Sequence, residues 1–422
     1  MAIQQPQTPR IQMMLRQLCG ILLAVFVFVA CSKDDVPEPV VPVSHTMLLY
    51  MPGQSLLRFY EKNIQGIEQA VESGALKNGG RIIVCYQPKA YDQTTLFEIV
   101  YDARQRKCVR KELKIYENFH ADETASVQEM FADMQLLAPA DSYGLAIGCH
   151  GFGWIPKDAP LPQGRYVPER PLPGALITRS TRFFGDSGHL MDIAQLADAV
   201  AGLSYRFDYL IFDGCFMSNI ETLYDLRHSF DYIISSPCEI MGAGFPYART
   251  IPYLFVSDGP DLAAVCHAFW YFYDSDWDTV ANNARSGCIS LTVTNELEAL
   301  AVTVAEIQAG AKREYNVNDL QYYEGMSSHI FYDLGDYLRA ICADDTLYAR
   351  FEEQLNRTFP AESRLNTPSF YSVYNHRMTP IKHYSGVTTT EPSRQYADLH
   401  KKTAWYRRTH AADCATKKAR LL

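Results

Sequence analysis

YGLAIGCHG (143–151) and YLIFDGC (209–215) are the two stretches that decide the architecture. Each is an unbroken apolar run of strand length, and each ends by delivering a reactive side chain, His150 in the first and Cys215 in the second. Continuous apolarity, rather than in-out alternation, marks a strand covered on both faces, as in parallel sheets flanked by helices. In such open sheets functional residues gather outside the carboxyl ends of the strands, so both ends are expected to meet at one crevice.

The flanking sequence keeps the same rhythm. HTMLLYM (45–51) and RIIVCY (81–86) read as buried strands. Between them residues 60–73 predict an amphipathic helix with Ile64, Ile67, Ala70 and Val71 on one stripe. Residues 95–101 and 109–116 alternate in period two and predict a hairpin at a sheet edge, and 124–137 predict a helix stopped by Pro139. Residues 155–184 are rich in proline and basic residues and poor in apolar ones, which predicts a long exposed loop. Helices are expected again at 190–201 and 219–226, with strands at 205–212 and 232–235. The class is therefore α/β, with a mainly parallel sheet. From about residue 260 longer helical patterns (262–273, 296–307, 334–342) are separated by short strand-like pieces, which predicts a second region packed on the first. No internal repeat is present.

A cysteine nucleophile needs a proton acceptor within reach and donors for the oxyanion. His150 is the candidate for the first task, and the backbone N–H groups of Gly151 and Cys215 for the second. Neither motif is specific alone. Their joint arrangement is, because both follow apolar strands and are separated by a helix.

Bulk properties narrow the partners. The chain has 422 residues, 47% hydrophobic and 21% charged, with a formal net charge of −9, and no basic run interleaved with aromatics exists to bind nucleic acid. At its start, Arg10 and Arg16 precede an apolar run from Cys19 to Ala30, too short to span a bilayer and patterned as a signal peptide over residues 1–30. The run ends Phe28-Val29-Ala30-Cys31, which resembles a bacterial lipobox and makes Cys31 the expected lipidation site. Ser32-Lys33-Asp34-Asp35 follows, similar to the acidic export tag of Bacteroidetes surface lipoproteins. Residues 31–45 then form a Pro-rich tether with a reach of roughly 40 Å. The expected location is the bacterial cell envelope, lipid-anchored to the outer membrane and exposed at the surface. Nine cysteines remain besides Cys31, an odd number without a CxxC pair, which argues against both a disulfide framework and a zinc site.

An apolar block followed by His-Gly, then an apolar block followed by Asp-x-Cys, resembles the clostripain family of caspase-like cysteine peptidases. LAIGCHGFGW (145–154), LIFDGCFMSNIETLYDL (210–226) and DYIISSPCEIMGAGFPY (231–247) all resemble its segments. YSGVTTT (384–390) and AWYRRT (404–409) resemble pieces of its C-terminal region. The resemblance implies a caspase-like α/β/α sandwich over 46–258 and a mixed α/β C-terminal region over 259–422. It implies Cys215 as nucleophile, His150 as proton-transfer partner, and Asp213 in a pocket for Arg or Lys before the scissile bond. It also implies maturation by cleavage after a basic residue of the 155–184 loop, which offers Lys157, Arg165, Arg170, Arg179 and Arg182. No cofactor is required; calcium assists some relatives, although no EF-hand-like loop occurs here. The sequence departs from the family pattern at Gly214 (usually Ala), Cys238 (usually Ser-Glu here, with Glu239 adjacent) and Met241 (usually Pro).

The leading expectation is thus an endopeptidase acting on peptides or proteins after Arg or Lys. Its rival is a catalytically silent surface lipoprotein that binds peptides or proteins through the same domain. A metal-dependent hydrolase lacks any ligand spacing. Gly185-Asp186-Ser187-Gly188 matches the nucleophile tetrapeptide of trypsin-like proteases, but those are all-β, and Ser187 reads better as a helix N-cap.

Overall fold

The structure is a computed structural model that describes residues 41–52, 55–87, 93–159, 185, 189–276, 285–310 and 313–411. The chain divides into two units, Met1–Val41 and Pro42–Leu422. The expected signal peptide, the expected lipidation site Cys31 and the part of the expected tether before residue 41 fall outside the described residues. Among the described residues no helix is long and apolar enough to cross a membrane.

The larger unit is built on a nine-stranded sheet. Its strands are β1 (Val43–Met51), β2 (Arg81–Tyr86), β3 (Thr94–Asp102), β4 (Lys107–Tyr116), β5 (Ala140–Gly148), β6 (Phe207–Asp213), β7 (Phe230–Ser235), β8 (Cys288–Val293) and β10 (Arg364–Asn366). They lie in the order β10-β8-β7-β6-β5-β1-β2-β3-β4. The five central strands, β2-β1-β5-β6-β7, are parallel. The expected β3–β4 hairpin forms one antiparallel edge, and β8 with β10 adds an antiparallel edge at the other end. Two small sheets lie outside it, β11 (Ser369–Ser372) with β12 (Arg377–Pro380), and β9 (Tyr332–Asp333) with β13 (Thr388–Thr389).

Alternation of side chains along each central strand feeds two apolar layers. Leu48 and Tyr50 of β1, Leu145 and Ile147 of β5, and Leu210 and Phe212 of β6 join one layer. Met47, Leu49, Ala146, Tyr209 and Ile211 join the other. The second layer is covered by α1 (Leu57–Glu72), through Tyr60, Ile64, Ile67, Ala70 and Val71, and by later helices α5 (Tyr247–Leu254) and α6 (Leu262–Tyr271). The first is covered by α2 (Thr124–Leu137), α3 (Ile193–Ala201), α4 (Ile220–Leu226), α7 (Leu297–Ala309), α8 (Leu334–Ile341) and α9 (Asp345–Thr358). This is the expected α/β/α sandwich. Burial on both faces is why the central strands are apolar throughout; emptying a position such as Ile211 to Ala would cost about 2–5 kcal/mol. Two short helices, α10 (Ala397–His400) and α11 (Ala404–Thr409), close the described chain.

Two element boundaries shift for local reasons. The helix expected from residue 190 starts at Ile193, because Asp192 caps it and its N–H is accepted by Gln195 Oε1 (3.1 Å) in a capping box. The helix expected over 262–273 stays regular only to Tyr271 and continues as a π turn over Phe272–Asp276.

Candidate active site

β5 and β6 are parallel neighbours in register, with Gly148 opposite Asp213, so the residues after each strand emerge side by side. The Cys149 N–H donates to the Asp213 carbonyl (3.3 Å), which prolongs the pairing past the strand ends. Gly151 then lies against the nucleophile segment. A Cβ placed on it would come within 2.4 Å of Cys215 O, 3.0 Å of Cys215 N and 2.9 Å of Met217 Sδ. Only glycine allows that approach, and it brings the Gly151 and Cys215 backbones together where an oxyanion would need donors. His150, Gly151 and Cys215 are therefore collected at one sheet end, as the crevice argument required.

Cys215 is buried, with its thiol 3.8 Å from the Ile240 carbonyl oxygen. Phe216, directly after it, has φ of 58°, a left-handed conformation that a bulky side chain rarely adopts. Packing holds it there. Its ring stacks on Phe331 (centroids 4.9 Å apart, 14° between planes) and meets Phe152 edge-on at 6.0 Å. Its N–H donates to the Cys238 carbonyl (3.1 Å), and Ser218 N–H donates to the Ser236 carbonyl (2.9 Å). The segment after β7 thus pins the turn carrying Cys215, giving Cys238 a backbone role its side chain does not advertise.

Asp213 is fully buried, and its carboxylate accepts the Phe245 N–H (3.1 Å) and the Tyr247 hydroxyl (3.2 Å). It therefore orients the 245–247 segment that leads into α5. Glu239 is also buried, and one of its oxygens accepts the Val373 N–H (3.1 Å). Burial pushes its carboxyl well above the ordinary range, the hydrogen bonds from Ser372 and Val373 only partly opposing it. Met241 is buried and its carbonyl accepts the Gly244 N–H (2.8 Å), so a turn forms without the proline expected there.

Histidine 150 is half-buried, and its Nε2 lies 2.9 Å from Ser55 Oγ in the segment after β1. No sequence signal singles out Ser55; only its place beyond a strand neighbouring β5 connects it to the site. The loop continuing from His150 is braced by the C-terminal region: Trp154 Nε1 donates to Thr390 Oγ1 (2.8 Å), and Gly153 packs against Phe331. His150 also pairs with Gly185 as an isolated antiparallel bridge. Of the basic residues in that segment, Lys157 is exposed, with its N–H donating to Asp192 (2.8 Å) and its ammonium to Gln195 (3.3 Å). Arg165, Arg170, Arg179 and Arg182 lie outside the described residues, as does Ser187.

The other cysteines behave differently. Burial pushes the Cys85 and Cys266 thiols far up, so they serve as small apolar groups. Among the described residues no cluster of three or more His, Cys, Asp or Glu side chains is arranged to hold a metal ion.

The clostripain family model matches residues 49–379. Among solved structures, the chain is similar to a secreted cysteine protease of this family from Bacteroides thetaiotaomicron, iotapain, with 33% identity, 88% of this chain and 100% of that one covered, and a TM-score of 0.75. An inactive zymogen from Parabacteroides distasonis is 26% identical over 88% of this chain and 99% of its own, with a TM-score of 0.71. A second secreted B. thetaiotaomicron protease, bound to an irreversible peptide inhibitor, shares the fold at 22% identity, 87% and 99% coverage and a TM-score of 0.72. No curated protein matches.

Proposed function

The chain belongs to the clostripain family and is a cysteine peptidase, and from that premise we propose that it cleaves peptide bonds after Arg or Lys with Cys215 as nucleophile and His150 as proton-transfer partner. The observation that carries this is the contact of Gly151 with the Cys215 backbone, which sets both reactive loops at one point. The Cys215 thiolate attacks the scissile carbonyl while the Gly151 and Cys215 N–H groups receive the oxyanion. His150 gives its proton to the leaving amine, then takes one from the water that hydrolyses the acyl-enzyme. This thiol chemistry needs no cofactor.

Asp213 is the proposed specificity acid. It stands two residues before Cys215, and its buried carboxylate is oriented by Phe245 and Tyr247, so a cationic side chain reaches it by displacing those partners. Processing in the 155–184 segment is proposed on the same preference, after Lys157, Arg165, Arg170, Arg179 or Arg182. The pairing of His150 with Gly185, the residue that follows that segment, supports it. Lipid anchoring at Cys31 in the outer membrane, facing outward, is proposed from the lipobox-like and acidic residues; iotapain, described as secreted, is consistent with export.

A fluorogenic peptide panel varying the residue before the cut tests the reading. Hydrolysis is expected for Arg and Lys, and Cys215→Ala is expected to lower kcat by at least about 10³-fold. Activity surviving in that variant would sink the site assignment, and a preference for uncharged residues would sink the role of Asp213.

A further inference from the structure

We infer that Ser55 is a positioning residue for His150, and that its hydroxyl decides which ring nitrogen exchanges a proton with Cys215. The inference rests on Cys215 and His150 being the reacting pair.

Ser55 follows β1, and His150 follows β5. These strands are parallel neighbours, with Tyr50 opposite Ile147, and the sheet grows from them in opposite directions, through β2 on one side and through β6 and β7 on the other. Residues beyond their carboxyl ends therefore face one another across the switch point. The 2.9 Å hydrogen bond from Ser55 Oγ to His150 Nε2 spans that gap. Both sides of Ser55 are anchored. The Pro52 carbonyl accepts the hydroxyl of buried Tyr60 (2.9 Å), and buried Leu56 receives the first N–H groups of the following helix, from Phe59 (2.8 Å) and Tyr60 (3.0 Å). Ser55, itself exposed, thus stands directly before an anchored helix start.

The proposed exchange of a proton between Nδ1 and Cys215 sets the direction of the bond. A neutral imidazole carries one N–H and one bare nitrogen. If Ser55 accepts from Nε2–H, the bare nitrogen is Nδ1, which takes the proton as the Cys215 S–H bond breaks and a new Nδ1–H bond forms. If Ser55 instead donated to a bare Nε2, Nδ1 would already be protonated and unable to accept from the thiol. Ser55 is therefore the acceptor. It remains one in the imidazolium, so the ring keeps its orientation until Nδ1–H is delivered to the leaving amine.

Steady-state kinetics on the full chain test this with an Arg or Lys peptide and four variants. Ser55→Ala is expected to lower kcat about tenfold, the worth of one such hydrogen bond, with KM little changed. The basic limb of its pH–rate profile moves to lower pH, because the imidazolium has lost an acceptor. Ser55→Thr, which keeps the hydroxyl, is expected to stay near wild type, while the similarly shaped Ser55→Val behaves like the alanine variant. Equal kcat and an unmoved basic limb for Thr and Val, with Cys215→Ala inactive, would overturn the role of Ser55. If Cys215→Ala remains active, it is the assignment of the reacting pair that fails.

Discussion

Gly151 and Gly214 flank the reacting atoms from two loops, and a methyl group meets very different surroundings at each. At Gly151 it would press on the backbone of Cys215, at 2.4 Å from the carbonyl oxygen. At Gly214 its closest neighbour is the Cys149 carbonyl oxygen, at 3.2 Å, a gap that a shift of a few tenths of an ångström relieves. Gly151→Ala is therefore expected to lower kcat/KM by about 10²-fold or more, since displacements near 1 Å at a reacting centre cost that much. Gly214→Ala, which restores the residue usual in the family, should stay within severalfold of wild type. A comparable loss in both variants would show that the contact at Gly151 is not what aligns the site. At this scale the meeting of His150, Gly151, Asp213 and Cys215 at one sheet end was legible, because each terminates or follows an apolar strand. Ser55 and Phe216 were not. A serine in a polar stretch and a phenylalanine with positive φ carry no pattern; their roles arise only when distant elements close around them.

The short helices α10 and α11 show what an element adds. His400, at the end of α10, is buried against Trp154, and its Nε2 donates to Glu221 of α4 at 2.7 Å. Glu391 stands near its other nitrogen at 3.7 Å and 3.2 Å from His410, while Tyr406 lies against both histidine rings. Burial alone would lower the His400 pKa, but the Glu221 hydrogen bond and the charges of Glu221 and Glu391 outweigh it, so the net shift is upward. A raised pKa means that the folded state holds the proton more tightly than the unfolded state does. The stabilisation is full below about pH 6.5 and is lost as pH rises through the folded value. The difference in Tm between wild type and His400→Gln should therefore shrink as pH is raised from 6 to 9, as differential scanning fluorimetry can measure. A constant difference would mean that His400 contributes packing alone. Such a cluster is invisible in sequence, since its members are spread from Glu221 to His410. The parallel strands were legible because each is a continuous apolar block, whereas three-residue β10 is too short to carry a period and the helix at Asp345–Thr358 was not singled out.

At the scale of the molecule, the residues after 258 do more than pack on a finished domain. β8 and β10 extend the same sheet, and Leu297, Leu300, Phe351 and Leu355 fill the layer shared with β5 and β6. A chain cut after residue 258 would expose the paired edge of β7 and part of that layer. Residues 42–258 produced alone are expected to aggregate or to lack near-ultraviolet circular dichroism, whereas 42–411 should show both a sharp melt and fixed aromatic signals. A soluble, cooperatively melting 42–258 fragment would establish the region as an independent domain. The change of rhythm near residue 260 was legible in the sequence, but its entry into the central sheet was not, because β8 pairs with β7 and β10 with β8 across long connections rather than through a tight hairpin.

The bracing of the His150 loop by Thr390 has a consequence in time. During synthesis from the amino end, Cys215 emerges long before Thr390 arrives to support Trp154. Cys215 is thus in place early, and the loop carrying His150 is steadied last. The chain must be complete to residue 390 before that loop acquires its support.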